Sequence, residues 1–345
     1  MCQFKSGLWT KNGLAWSLDT DSHEELIKEK GFKDDGVKTQ FVRVEYIPEK
    51  FEDFLKQRKK YKNWKVRIDQ DILPEWFQGE TDTKAIEKAF KGIIGEVIDK
   101  RFIVGKVAEI KEGKNYYIYG SAQVKNICGS AQVKHIYDSA QVENICGSAQ
   151  VKYISGSAQV EYIYGSAQVE NIGGSAQVEY ISDSAQVENI GGSAQVKNIC
   201  GSAQVEYIYG SAQVEYISDS AQVENIYGSA QVEHIYGSAQ VEYIYGSAQV
   251  EYIGGSAQVK NICGSAQVEH IYDSAQVERI CDSAQVKHIY GSAQVKHIYG
   301  SAQVYNGNIK LIRSIKDNAI VIDRNNGIVI HVANKDIKLK IKEAE

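Results

Sequence analysis

From Gly120 to Tyr299 the chain repeats one nine-residue unit, Gly/Asp-Ser-Ala-Gln-Val-Glu/Lys-x-Ile-x, twenty times without insertion or deletion, and a truncated copy, Gly300 to Val304, closes the run. A fixed period of this kind marks a solenoid, because each unit is too small to bury its apolar face except against its neighbours. Five slots are invariant, held in the first copy by Ser121, Ala122, Gln123, Val124 and Ile127. The sixth slot takes Glu or Lys and the seventh Asn, His, Tyr or Arg, so variation marks the outer face. Ala122 and Val124 fit a strand whose alternate residues point inward, and a two-residue arc at Lys125-Asn126 resets the parity before Ile127. Gly120, or Asp at the same slot in Asp138, Asp183, Asp219, Asp273 and Asp282, supplies the corner. A helix is excluded: nine is no multiple of 3.6, and Gly, Ser and β-branched residues at this density weaken it.

A single nonapeptide would give a perimeter of roughly 30 Å at ~3.3 Å per residue, too tight to enclose a core. Two units, eighteen residues, make a flattened two-sheet coil, and ten such coils stacked at ~4.8 Å give a rod on the order of 48 Å long. The expected fold class is therefore mainly β: a parallel β-solenoid with a small α+β domain before it and a β-rich cap after it. Eighteen residues per coil puts Cys128, Cys146 and Cys200 in one column and Cys263 and Cys281 in the opposite one. All five occupy the variable ninth slot, and free thiols are expected there. Stacked Ser and Gln are expected to form hydrogen-bonded ladders along the axis. Tyr fills the seventh and ninth slots sixteen times, as sheet-favouring residues on a solvated face or as a repeated adhesive surface.

Charge divides the chain in the same places. Residues 120–304 carry 8 Lys/Arg against 18 Asp/Glu, whereas residues 1–119 and 305–345 are each slightly basic, within a total of −5. The working domains are thus a head, 1–119, a rod, 120–304, and a cap, 305–345. An acidic rod is a poor ligand for nucleic-acid phosphates. No secretory signal and no apolar run of ~20 residues is present, so no membrane association and a cytoplasmic location are expected. With no CxxC or HxxxH spacing, no metal site and no cofactor are expected; the repeat histidines, such as His135 and His270, are too dispersed in sequence to make one.

In the head, Thr10-Lys11-Asn12-Gly13 predicts a hairpin between Gln3–Trp9 and Leu14–Leu18, with Asn-Gly supplying positive φ. Ser22-His23-Glu24-Glu25 predicts a capping box, and Gly31 a helix stop. Strands are expected at Phe41–Ile47 and Trp64–Asp69, a polar helix at Glu49–Lys60 and an amphipathic helix over Asp82–Arg101. Strands at Phe102–Ile110 and Tyr116–Tyr119 should lead into the first coil. The opening Met-Cys-x-Phe, Asp21-Ser22-His23-Glu24-Glu25-Leu26, Phe41-Val42-Arg43-Val44-Glu45 and Asp69-Gln70-Asp71-Ile72-Leu73-Pro74-Glu75-Trp76 together resemble the N-terminal domain of uncharacterised phage and mobile-element proteins, in which tandem short repeats follow a similar head. The resemblance covers roughly the first 110 residues and implies no reaction.

One chemical hypothesis arises from the head itself. Removal of Met1 would expose Cys2 as an N-terminal nucleophile, with His23 and Asp69 or Asp71 completing a thiol, imidazole and carboxylate set, as in N-terminal-nucleophile hydrolases and amidotransferases. The plainer reading makes Cys2 a small apolar edge residue, His23 an exposed first-turn residue, and Asp69 and Asp71 turn formers before Pro74. Trp64, Trp76 and Phe77 are expected in the core.

An open solenoid has two ends to cover. Ile309–Ile315, Ala319–Arg324 and Ile328–Val332, with a turn at Asn325-Asn326-Gly327, and a Lys-rich last strand at Ile337–Ile341 are expected to form the cap. The leading functional expectation is a non-enzymatic structural or binding protein with a protein partner, the rod serving as rigid spacer or repetitive surface. The alternatives are an acidic DNA mimic directed at a host protein and the Cys2 enzyme. Ice binding is disfavoured by a repeat without Thr, and hexapeptide acyltransferase chemistry by the period of nine.

Overall fold

The structure, a computed structural model, describes residues 5–18, 20–33, 40–48, 64–114, 116–307, 312–324, 327–331 and 337–338. Cys2, the helix expected over Glu49–Lys60 and the cap's Asn325-Asn326 turn lie outside the described residues. The chain divides into two compact units, 1–104 with 113–119, and 105–112 with 120–345.

In the first unit, β1 (Lys5–Thr10), β2 (Gly13–Ala15), β3 (Phe41–Ile47) and β4 (Lys65–Ile68) form an antiparallel sheet in the order β2-β1-β3-β4. Positive φ falls on Gly13 and not on Asn12, unlike the expected Asn-Gly turn. The Thr10 hydroxyl explains the difference: it donates to the Gly13 carbonyl at 2.9 Å and accepts from Asn12 N at 3.1 Å, which fixes the loop from within. The first helix, α1 (His23–Glu29), starts on Ser22, whose hydroxyl accepts from Glu25 N at 3.3 Å, and Gly31 ends it at φ 68°. Its Leu26 and Ile27 pack with Leu8 and Phe41 on one face of the sheet.

The opposite face takes α2 (Glu80–Arg101). Its Ile86, Phe90, Ile94 and Val97 are buried at helical spacing, and Phe90 stacks on Tyr46, which also meets Trp64. Gly7 lets the helix approach the sheet closely, since a Cβ there would meet Leu14 Cδ1 at 2.6 Å and Phe90 Cζ at 3.2 Å and displace the Leu14 tip. Trp64 is buried as expected, whereas Trp76 and Phe77 are only half-buried. Lys5 is buried between the layers, its ammonium donating to the carbonyls of Ser17 at 2.6 Å and Thr20 at 2.9 Å and to Asp21 Oδ1 at 2.7 Å. These partners use all three of its protons. Short strands β5 (Phe102–Ile103) and β7 (Tyr116–Ile118) pair in parallel.

The second unit is the parallel β-solenoid, with ~18 residues per turn and about 12 turns in the whole chain. Its first strand, β6 (Lys106–Ile110), precedes the repeat and pairs in parallel with β8 (Gln123–Ile127). From β8 to β27 (Gln294–Ile298) each nonapeptide contributes one five-residue strand, and strands eighteen residues apart pair in register, as Gln141 with Gln159 and Ile145 with Ile163. Even-numbered strands form one sheet and odd-numbered strands the other. Every Ala, Val and Ile of the repeat lies inside, at no more than 2 % exposure. Burying each Val and Ile stabilises by about 1.5–3 kcal/mol, so each added coil brings its own core. The expected two-residue arc sits inside a continuous strand: the pairing passes from Val142 to Asn144 and leaves out slot six, so both Val and Ile face inward.

Slot one has positive φ throughout, Asp as well as Gly. Asp is tolerated because its carboxylate accepts from the backbone N–H one coil earlier, as Asp219 Oδ2 does from Gly201 N at 3.1 Å. No slot-one Asp of the repeat has Asp as a column neighbour, which keeps the slot-one carboxylates of any one column at least two coils apart. Backbone hydrogen bonds continue around the corners, for example Ser148 N to the Gly129 carbonyl at 2.9 Å. Ser thus contributes through its backbone; among the described residues its hydroxyls form no ladder.

The expected free thiols are corrected at four positions. Cys128 is bonded to Cys146 and Cys263 to Cys281, because the eighteen-residue register sets their Cα atoms 4.5 Å and 4.7 Å apart, within disulfide range. Cys200 is free, with Ser182 and Ser218 as its column neighbours. Beyond β28 (Gln303–Gly307), β29 (Ile312–Ile315) and β30 (Ile320–Asp323) add a last parallel layer to β27 and β28. Then β31 (Ile328–His331) and β32 (Ile337–Lys338) pair antiparallel to β30 and β29, ending the parallel stack with reversed strands.

Candidate functional site

Among the described residues, two places present organised polar chemistry: the outer faces of the solenoid and a cluster beside β3. On the solenoid, in-register stacking turns each outward slot into a column. Gln123, Gln141, Gln159, Gln177, Gln195, Gln213 and Gln231 form one continuous ladder, each side-chain amide donating to the next Oε1 at 3.1 Å to 3.5 Å. In the sixth slot Glu215, Glu233, Glu251 and Glu269 run consecutively up the same sheet until Lys287 pairs with Glu269. That hydrogen bond holds the Glu269 carboxyl below its ordinary range. Lys260 ends a Glu run on the other sheet in the same way, by pairing with Glu242. Between the Gln and Glu rows lies a groove of about 840 Å³, closed towards the cap by Tyr305 and Arg324.

The aromatic slots also stack. Tyr216, His234, Tyr252, His270 and His288 form one column of five rings, with centroids 4.9 Å to 5.0 Å apart and planes within 10°. Asn306 ends it at 3.1 Å from His288 Nδ1. Each ring covers its neighbour's face, so the column offers ring edges rather than an open stacking platform. Burial holds the His288 imidazole below its ordinary pKa, with His270 adding to the effect. On the other sheet His135 stacks on Tyr153, and burial, followed by Lys134 and Lys152, pushes it down to about 4. Tyr216 and Tyr252 are raised, chiefly by the adjacent Glu215 and Glu251.

In the first unit the structure brings two of the three sequence candidates together. His23 Nδ1 lies 3.5 Å from Asp69 Oδ2, although one residue opens α1 and the other follows β4. Asp69 is anchored by its own N–H, which donates to the Arg43 carbonyl at 2.9 Å. His23 is buried at 2 % exposure rather than exposed, since its ring lies against the edge of β3 with Nε2 3.2 Å from the Val44 carbonyl. Asp71 is exposed and belongs to neither contact. Cys2 is outside the described residues, so two members of the proposed triad are placed and the nucleophile is not. The residue that sequence reasoning passed over is Glu45, buried at 2 % exposure and facing the same cluster. Its signal was a carboxylate inside the apolar strand Phe41-Val42-Arg43-Val44-Glu45.

Comparison with protein-family models, curated proteins and solved structures returns no match. Among the described residues no helix is long and apolar enough to cross a membrane.

Proposed function

We propose that this is a non-enzymatic structural and protein-binding protein of phage or mobile-element type, in which the solenoid acts as a rigid spacer and repetitive surface and the N-terminal domain carries partner specificity. The observation that supports this reading is the unbroken register. Ladders such as Gln123 to Gln231 repeat one chemical pattern at coil spacing, and a partner met at one coil meets the same groups at the next.

Removing 36 residues, two whole coils, from the full chain tests this reading once a partner is recovered with the intact protein. A spacer keeps its partner affinity and loses reach. A repetitive surface loses affinity in proportion to the coils removed. A full chain that binds no protein partner contradicts the proposal.

A further inference from the structure

We propose that His23, Glu45 and Asp69 form a binding site for one divalent transition-metal ion, for which zinc is the reference. The three residues come from the start of α1, the middle of β3 and the residue after β4, and their ligand atoms lie within 4.8 Å of one another. Three details distinguish the cluster from a chance gathering of acids.

The first is the His23–Asp69 separation. At 3.5 Å it is long for a hydrogen bond. Two ligands each about 2.1 Å from one tetrahedral ion lie ~3.4 Å apart, which matches it. The second is the tautomer. The Val44 carbonyl at 3.2 Å from Nε2 can only accept, so the Nε2 proton is used there and, in the neutral ring, Nδ1 presents its lone pair towards carboxylate oxygen. Two electron-rich atoms facing each other need a cation between them, either a proton or a metal ion. A backbone carbonyl on the far nitrogen is also the usual orienting partner of a metal-bound histidine.

The third detail is Glu45. Its side chain is at 2 % exposure, and among the described residues no hydrogen bond or ion pair serves its carboxylate. Arg67 stands opposite it in the sheet and is exposed, yet no ion pair joins them. A buried carboxylate without a partner costs several kcal/mol. An ion shared with His23 and Asp69 removes that cost. One imidazole and two carboxylates suit zinc, manganese or iron(II) better than calcium, and Asp69, at 43 % exposure, gives the site its opening to solvent. The exposed side leaves a coordination position for water.

The test uses the full chain, stripped with a chelator and titrated with Co²⁺ and Zn²⁺. The expected result is one ion per chain, with a Co²⁺ absorption spectrum that lacks sulfur-to-metal charge transfer and so excludes the Cys263 and Cys281 sulfurs. Glu45→Gln and Asp69→Asn should each weaken binding by about 10-fold or more. Asp69 is exposed, so D69N keeps its fold by circular dichroism and decides the matter if E45Q does not fold. Equal affinity in the wild type and D69N, a thiolate spectrum, or a His23 ring that holds a proton while no ion binds would each overturn the proposal.

Discussion

The solenoid and the N-terminal unit bury apolar surface in opposite ways. Across the repeat the inward slots hold only Ala, Val and Ile, their neighbours in the sheet lie eighteen residues away, and the charged sixth slot stays outside; the buried charge of this unit, Asp323, belongs to the layer added after the repeat. In the N-terminal unit, Lys5, His23 and Glu45 are buried among residues drawn from distant parts of the chain. One architecture is extensible and tolerant, because each coil is nearly the same problem solved again. The other is specified by single polar residues, each of which has no substitute. A buried polar group is costly, and that cost is the reason to look for function in the N-terminal unit rather than in the longer and more conspicuous repeat.

The two regions should differ most at Lys5. Lys5→Ala leaves Asp21 and the carbonyls of Ser17 and Thr20 without their donor, and a loss of about 3–5 kcal/mol is expected. Denaturant unfolding followed by Trp fluorescence should show the first unit melting early while the far-UV signal of the solenoid persists. Reduction of Cys128–Cys146 and Cys263–Cys281 comes next, at roughly 3 kcal/mol for each loop of this size. Each bond clips adjacent coils, so faster hydrogen exchange should be confined to those coils and leave the rest of the stack unchanged.

A smaller effect is expected from acid. His135 has its pKa pushed down to about 4 from 6.5, so its protonation is disfavoured in the fold. Above about pH 6.5 it costs nothing; as the pH falls from there towards 4, the coil holding His135 should lose on the order of 2–3 kcal/mol. His135→Asn, the residue found in that slot elsewhere in the repeat, should remove this dependence in a thermal melt taken across the window. The smallest effect belongs to the ladder: Gln195→Ala removes two exposed hydrogen bonds, from Gln177 and to Gln213, and should change stability by less than about 1 kcal/mol. A loss comparable to that at Lys5 would show that the two regions are not built differently.

How much of this was legible in the sequence follows the same division. The inward set Ala122, Val124 and Ile127, the corner at Gly120 and the eighteen-residue coil are all readable, because a repeat states its register by its own period. The disulfides were within reach of the same arithmetic, since Cys128 and Cys146 are one coil apart, but a cysteine in a variable slot reads as a free thiol until the stacking distance is known. The Ser ladder was misassigned because invariance does not tell a backbone role from a side-chain role. In the N-terminal unit the N-cap at Ser22 was local and therefore visible, but only half of the expected capping box forms, because the Ser22 N–H donates to the Thr20 hydroxyl rather than to Glu25. The meeting of His23, Glu45 and Asp69 was not, because three residues on separate elements converge only through sheet order. Lys5 was equally hidden: nothing in Lys-Ser-Gly-Leu-Trp-Thr distinguishes a buried ammonium from an edge charge.

The most direct measurement of the coil register uses Cys200, the one free thiol among the described repeat cysteines. Burial, with Asp219 and Asp183 nearby, raises its pKa, so oxidation should be run at alkaline pH. Ser182→Cys places a second thiol eighteen residues away in the same column, whereas Tyr209→Cys places one nine residues away in the other sheet. Mild oxidation followed by peptide mass mapping should find the Cys200 cross-link in the Ser182→Cys protein and not in the Tyr209→Cys protein. Cross-linking of Tyr209→Cys, or of neither, would contradict an eighteen-residue coil.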